Sequence, residues 1–316
     1  MAKLVAGMAS SHAFALMDPS VWDENRQRNR QFYQRFYGQL PPEQAQITQE
    51  TDADLCLRYD RIRNAHDRLA NGLLETGAQA LVLIGDDQNE HFTEANVPQM
   101  AIYVGGEFVA TDRSGATEPV RFRSESGLAT AILEEAVNSD VDMSVLKAFP
   151  EEKLIAHAHG PMLQRLDPQA QIPVVLVFVN AIHHPAPRPA RCYYLGQVIR
   201  RAVERYQGVQ RVAVCGSGGL SHFSAGYPWK DYTGSFGYGA ISQEFDRRIL
   251  GLMEKGQGQA LADLTSKDLL DHGEIELRSW ITVLGAVGNL SPELLVYEPS
   301  YRGIMGMGVG YWPLPN

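Results

Sequence analysis

Cysteine is scarce in this chain. Its three cysteines, Cys56, Cys192 and Cys215, lie far apart with no CxxC spacing. That argues against a disulfide framework and against a cysteine-zinc site. Long apolar runs are missing as well: nothing approaches the roughly 18 residues that a membrane span needs. The opening MAKLVAGMASSHAFALMDP has one lysine and too interrupted an apolar stretch for a secretory signal. A soluble, cytoplasmic protein is the expectation. A basic excess is also lacking. Across 316 residues 28 Lys and Arg face 37 Asp and Glu, a formal net charge of −9. Such a surface is repelled by phosphate backbones and anionic lipid, so no nucleic acid and no membrane is expected as partner, and a small molecule or a protein is favoured. There is no internal repeat, low-complexity tract or linker. With 44% hydrophobic residues the chain can bury a sizeable core, and residues 1–316 read as a single domain.

The apolar pattern alternates between strand-like and helix-like stretches. Lys3 to Met8 suits a buried strand that delivers a loop with His12. Residues 18–52 are polar and aromatic, and read as a helical insertion over the core, a candidate lid. Between Leu55 and Thr76 the positions Leu55, Tyr59, Ile62, His66, Leu69 and Leu73 follow a period near 3.6, the mark of an amphipathic helix, with Gly77 placed to end it. Ala78–Ile84, Ile172–Asn180 and Val212–Cys215 are short apolar runs of the kind found in parallel strands covered on both faces. Helical stretches at 126–139 and Arg191–Tyr206 separate them. The expected fold class is α/β, with a central, largely parallel sheet flanked by helices and the active site at the strand C-terminal ends. Two further helices are expected near 242–254 and 274–287. The glycine-rich end, SYRGIMGMGVGYWPLPN, is expected to be irregular chain.

Polar groups gather at the predicted strand ends: His12, the run Gly85-Asp86-Asp87-Gln88-Asn89-Glu90-His91, and His222 after GSGGLS. HAHG adds His157 and His159. A histidine by itself is more often a surface or hydrogen-bonded residue than a catalyst, but repeated placement at strand ends changes that balance. GSGGLS fits neither GxGxxG nor a P-loop, so its glycines are read as a tight turn that orients His222 rather than as a phosphate cradle. Ser221 lacks a GxSxG elbow. His183-His184-Pro185 suits a structural or substrate-lining role better than a metal site.

Taken together, MASSH at 8–12, HG at 159–160, GSGGLSH at 216–222 and ELRSW at 276–280 resemble the class III extradiol ring-cleavage dioxygenases of the LigB type. GMASSH, DPSVW and GDDQNEHF look most like the branch containing 3-O-methylgallate and gallate dioxygenases. The resemblance implies an Fe(II) cofactor held by two histidines and a glutamate, a facial triad that leaves positions open for a catechol and O2. By motif His12 is the first ligand and Glu276 the carboxylate, facing inward on the same helix face as Trp280. The second histidine has no direct counterpart: the matching position is Gln88, with Asp87, Glu90 and His91 as alternatives. His159 and His222 match the two non-ligand active-site histidines, His222 as acid and base, His159 as a hydrogen-bond donor to oxygen or substrate. Arg188 or Arg191 offers a partner for a substrate carboxylate. The implied activity is O2-dependent ring opening of a catechol- or gallate-type phenolic acid by a homo-oligomer. A metal-dependent hydrolase on the same scaffold, or a non-catalytic or non-iron homologue binding an aromatic acid, is the alternative.

Overall fold

The computed structural model describes residues 1–111, 118–149 and 154–315. In chain order it runs β1 (Lys3–Ser10), α1 (Trp22–Tyr37), α2 (Asp52–Glu75), β2 (Ala80–Gly85), β3 (Met100–Tyr103), β4 (Glu107–Ala110), β5 (Val120–Arg123), α3 (Ser126–Asn138), β6 (Ser144–Leu146) and α4 (Gly160–Leu166). It continues with β7 (Val174–Val179), α5 (Pro189–Arg205), β8 (Arg211–Ser217), α6 (Gln243–Glu254), α7 (Ser266–Asp271), α8 (Leu277–Val287), β9 (Leu294–Ser300) and β10 (Met305–Pro313). Eight strands form one sheet in the order β6-β3-β7-β2-β8-β1-β10-β9, and β4 and β5 form a separate pair. The four central strands β7, β2, β8 and β1 are mutually parallel. They therefore end along one edge, where their following loops can converge.

Strand periodicity decides what lies on each face. Along β2, Val82 and Ile84 join the core shared with α3, α5, α6 and α8, while Leu81 and Leu83 join the core shared with α2 and α4. β7 alternates the same way, with Val175, Val177 and Val179 on one side and Val174, Leu176 and Phe178 on the other. Every residue of both strands is buried, which is why they read as unbroken apolar runs and not as half-polar ones. Each such side chain contributes about 1.5–3 kcal/mol when fully buried. Helices α5 and α8 approach until their backbones touch. A side chain at Gly196 would overlap the Thr282 carbonyl, and one at Gly285 would overlap that of Tyr193.

Helix α2 starts on a capping box between Thr51 and Asp54 and is followed by Gly77 in a left-handed conformation, φ +59. The 18–52 segment is tied down rather than loose. Trp22 is fully buried against Phe14 and Tyr59. The Glu50 carboxylate accepts the backbone N–H groups of Tyr301 and Arg302 at 2.8 and 2.9 Å.

The expectation of irregular chain at the C-terminus is corrected here. Residues 294–313 form β9 and β10, and β10 extends the main sheet by pairing antiparallel with β1. The glycines that disguised β10 are there because neighbours fill their side-chain space: Leu220 and Trp280 over Gly308, and Trp312 over Gly310. All three cysteines are free, Cys192 and Cys215 buried and Cys56 exposed. No described helix is long and apolar enough to cross a membrane.

Candidate active site

Three parallel strands and one helix supply the site. At the end of β1, each residue of Ser10-Ser11-His12 has its own partner. Ser10 Oγ donates to the Ser11 carbonyl at 2.7 Å and contacts His66 Nε2 at 2.8 Å, so the His66 nitrogen is the donor. Ser11 Oγ accepts the N–H groups of Leu220 and Gly308 at 3.0 and 2.9 Å. His12 is thereby fixed with Nδ1 3.4 Å from Ser217 Oγ and Nε2 3.7 Å from Glu276 Oε2.

At the end of β8, the GSGGLSH turn leans against the first turn of α8. Gly218 has φ +145, and a Cβ there would sit 2.9 Å from Glu276 Cβ, so only glycine fits. The Gly219 N–H donates to Glu276 Oε2 at 2.9 Å, and Trp280 Nε1 donates to the Gly218 carbonyl at 2.8 Å. Glu276 occupies the N-cap of α8 and Trp280 follows four residues on, so both face the same loop. The glycine loop thus offers its N–H to a carboxylate of its own chain. Arg278 turns away and donates to the carbonyls of Pro187 and Ile275. Ser221 Oγ is committed to Asp246 Oδ2 at 2.8 Å and accepts the Ser242 N–H at 2.8 Å.

The loop after β2 completes the group. His12, Asp86 and Glu276 place one potential ligand atom each within 4.8 Å of the others, and all three residues are buried. Gln88 lies against them, its amide nitrogen donating to Glu276 Oε1 at 2.6 Å and to Asp86 Oδ2 at 3.2 Å. The other Asp86 oxygen, Oδ1, is buried with no hydrogen-bond partner. Such an atom is costly to leave unsatisfied. Two carboxylates and an imidazole, one of the carboxylates with an unpartnered oxygen, fit a divalent cation, whose charge would offset the repulsion between the acids. His222 stands over the same carboxylate, with Nε2 3.3 Å from Glu276 Oε1 and Nδ1 2.8 Å from the Leu220 carbonyl.

Electrostatics follow from this crowding. Burial, reinforced by the charge of Glu276, pushes Asp86 well above the ordinary carboxylate range. Burial also opposes ionisation of Glu276, but His222, His12 and the Gly219 N–H outweigh it and hold this carboxyl below its usual value. Burial lowers His12 to about 4 despite Glu276. For His222 burial acts the same way, yet its contact with Glu276 prevails and raises it to about 9.

Of the residues singled out by sequence, the structure brings together His12, Gln88, Glu276 and His222. His159 sits elsewhere in the wall. It is fully buried beneath Gly85, its Nε2–H donating to the Val177 carbonyl at 3.0 Å and its ring packed on Phe178, and burial lowers it to about 4. The alternatives around Gln88 are occupied otherwise. Asp87 accepts the backbone N–H groups of Glu90, His91 and Phe92 at 3.0–3.2 Å, His91 packs on Phe149 with ring centroids 4.6 Å apart, and Glu90 binds His157. His183 contacts Asn89 Oδ1 at 2.9 Å. Together with His184, Phe36, Tyr37 and Trp229 it lines a cavity of about 520 Å³ beside the site, partly roofed by the end of α1. Arg188 and Arg191 are exposed at the start of α5. Asp86 and His157 had been seen only as members of polar runs. No spacing rule distinguishes Asp86 from Asp87, since the direction of each side chain is settled by the turn.

An α/β sheet whose parallel strands deliver a histidine and a carboxylate to the point where a helix N-terminus brings a second carboxylate, with a second histidine above, defines a class of enzyme built around a cation-type donor group. Comparison with known proteins narrows the class. Residues 37–311 match the catalytic LigB subunit of aromatic ring-opening dioxygenases, and the chain belongs to this family. His12 lies outside the matched stretch. A 2,3-dihydroxyphenylpropionate/2,3-dihydroxicinnamic acid 1,2-dioxygenase from Burkholderia vietnamiensis is 27% identical over 252 residues, 67% of this chain and 76% of that enzyme. Its Escherichia coli counterpart is 24% identical over 289 residues, 78% of this chain and 88% of that one. A gallate dioxygenase from Pseudomonas putida is 29% identical over 187 residues, 57% of this chain and 51% of that enzyme, so the match spans about half of its length.

Proposed function

We propose that this ring-opening dioxygenase is an Fe(II) enzyme acting on a catechol- or gallate-type phenolic acid, with 3-O-methylgallate among its candidate substrates. The observation that carries the reading is the convergence of ligand atoms from His12, Asp86 and Glu276 within 4.8 Å of one another, with one buried oxygen of Asp86 left unpartnered. His12 and Glu276 take the ligand positions that the sequence motifs suggest. Asp86 supplies the third, and Gln88 stands where a family histidine would, able to present its amide oxygen after a half-turn of the amide. Names of relatives support the substrate class: two act on 2,3-dihydroxyphenylpropionate and one on gallate. The acidic balance of 28 basic against 37 acidic residues supports the absence of a nucleic-acid or anionic-membrane partner, and a cytoplasmic homo-oligomer is part of the proposal.

When bound, the iron supplies a place for a diphenol and O2 side by side and an electronic route between them. The protein's own groups do the rest. Because the Leu220 carbonyl can only accept, His222 carries hydrogen at Nδ1, and Nε2 is the atom that exchanges a proton. Against Glu276 that nitrogen holds a proton at neutral pH in the metal-free site, so it would take the proton of a substrate hydroxyl, and later return one, only once a cation had drawn the carboxylate's charge away from it. Ser11, Gly219 and Trp280 keep His12 and Glu276 from moving apart, so the donor group is organised before substrate arrives. Buried walls restrict water around the reacting ring.

The test is anaerobic loading with Fe(II), followed by O2 admission in the presence of gallate, 3-O-methylgallate, 3,4-dihydroxybenzoate or 2,3-dihydroxyphenylpropionate. Stoichiometric iron and incorporation of both atoms of labelled O2 into an opened ring are expected. Failure to retain Fe(II), or no O2 consumption with any of these diphenols, contradicts the proposal.

A further inference from the structure

The donor group and the aromatic cavity beside it meet at Gln88. The amide nitrogen of this residue lies on Glu276 and Asp86, while its Oε1 faces Gly226, where a side chain would begin 3.3 Å away. Gly226 and Asn89, the residue after Gln88, both line the cavity. The cavity therefore starts where the donors end. Its volume is about 520 Å³. At the packing density of protein interiors a single-ring acid the size of gallate fills roughly 200 Å³. More than half of the space is left over even if the diphenol ring lies wholly inside it.

The walls are aromatic and braced. Phe36 and Tyr37 come from the last turn of α1, and Tyr227 and Trp229 from the loop after His222. Tyr33, one turn back on α1, ties the two together, its ring centroid 4.7 Å from that of Tyr37 and 5.6 Å from that of Trp229. Trp229 Nε1 donates to the Ser224 carbonyl at 2.9 Å, and the Tyr227 ring meets that of Trp229 at 5.3 Å. Such bracing sets the wall before a ligand arrives, and its rings offer a ligand's ring edge and offset contacts. Charge selects as well. Of the carboxylates, lysines and arginines on the wall, two are acids, Glu94 and Asp231, and one is a base, Lys230. A carboxylate tail finds no net attraction there, whereas an uncharged ring finds matching surface.

We propose that this cavity receives a second, uncharged aromatic ring of the substrate, so that the preferred phenolic acid is a two-ring diphenol, with its diol ring at the donor group and its other ring between the end of α1 and Trp229. Only the placing of the diol ring rests on the reading of the donor group as an iron site. The preference for a second ring follows from the size, lining and charge of the cavity.

The experiment titrates Fe(II)-loaded protein anaerobically with matched pairs that differ by one phenyl group: 5-phenyl-3,4-dihydroxybenzoate against 3,4-dihydroxybenzoate, and 4-phenylcatechol against catechol. In at least one pair the phenyl compound should bind about tenfold or more tighter, and its kcat/KM after O2 is admitted should lead by a similar factor. Val97→Trp, which fills the cavity from a part-exposed loop, should bring that ratio to within about twofold of one. Phe36→Ala, which removes a wall ring that is already 67% exposed, should lower it about threefold. Equal affinity within both pairs, an undiminished ratio in either variant, or a larger gain over catechol for 2,3-dihydroxyphenylpropionate than for 4-phenylcatechol, overturns the proposal. Failure of the iron reading shows separately: protein that binds a phenyl compound tighter but leaves both members of the pair intact when O2 is admitted loses the ring-opening role and keeps the second-ring site. Binding of none of these compounds overturns both.

Discussion

Between Gly216 and His222 the polar groups of the site are committed within the chain: the Gly219 N–H to Glu276, the Gly218 carbonyl to Trp280, Ser221 to Asp246. Between Asp86 and His91 the opposite holds at the decisive place, because Asp86 Oδ1 is buried and bonded to nothing. One wall is a finished scaffold, and the other holds one carboxylate oxygen, on Asp86, awaiting a charge. The contrast separates two costs. Disturbing the first wall should damage the fold and the site together, whereas disturbing the second should damage binding while leaving the fold nearly intact.

The largest effect is expected where the two walls meet. Glu276→Gln removes the carboxylate that His12, Gln88, His222 and Gly219 all address. Metal retention and turnover should fall by more than about 100-fold, beyond what loss of an outer partner costs, as metal analysis and O2 uptake will report. Next comes the pair of neighbours in the β2 loop. Asp86→Asn, which keeps a neutral oxygen donor in place of the charged ligand, should weaken Fe(II) binding by about 10-fold or more yet leave the melting temperature of metal-free protein unchanged or higher, since a repelled acid is gone. Asp87→Asn should do the reverse, destabilising by about 1–2 kcal/mol through the loop N–H groups it serves. Equal metal loss in both variants would erase the distinction, within this one loop, between a donor and a residue that holds the turn. Gly218→Ala, forced into a conformation glycine alone tolerates and against Glu276 Cβ, should cost about 1–3 kcal/mol in denaturant unfolding. The smallest change should come from Gln88→His. An imidazole in place of a neutral amide should tighten Fe(II) retention a few-fold, measured by competition with a chelator.

The same contrast explains what could be read before any coordinates. GSGGLSH and ELRSW are legible because they carry the family resemblance, whereas the bonds that join them, Gly219 to Glu276 and Trp280 to Gly218, cross about 60 residues and are set by the fold. The buried strands β2, β7 and β8 are legible because both their faces are covered, so composition alone marks them. The β2 loop resisted because two adjacent aspartates, a glutamine, a glutamate and a histidine are chemically interchangeable as donors until the turn decides which one points inward. Asp86 does, while Asp87 serves backbone N–H groups. HAHG hid its geometry for a related reason, since two residues of a turn can place one ring beside His12 and the other beneath Gly85. β10 was missed because the glycines that suggest irregular chain are there to admit Trp280, Trp312 and Leu220.

The most direct test of the central claim is anomalous diffraction at the iron edge from crystals loaded anaerobically with Fe(II). The account predicts one strong peak bounded by His12 Nε2, a Glu276 carboxylate oxygen and Asp86 Oδ1. A peak held instead by His91 or Glu90, or no peak among these three residues, would contradict it.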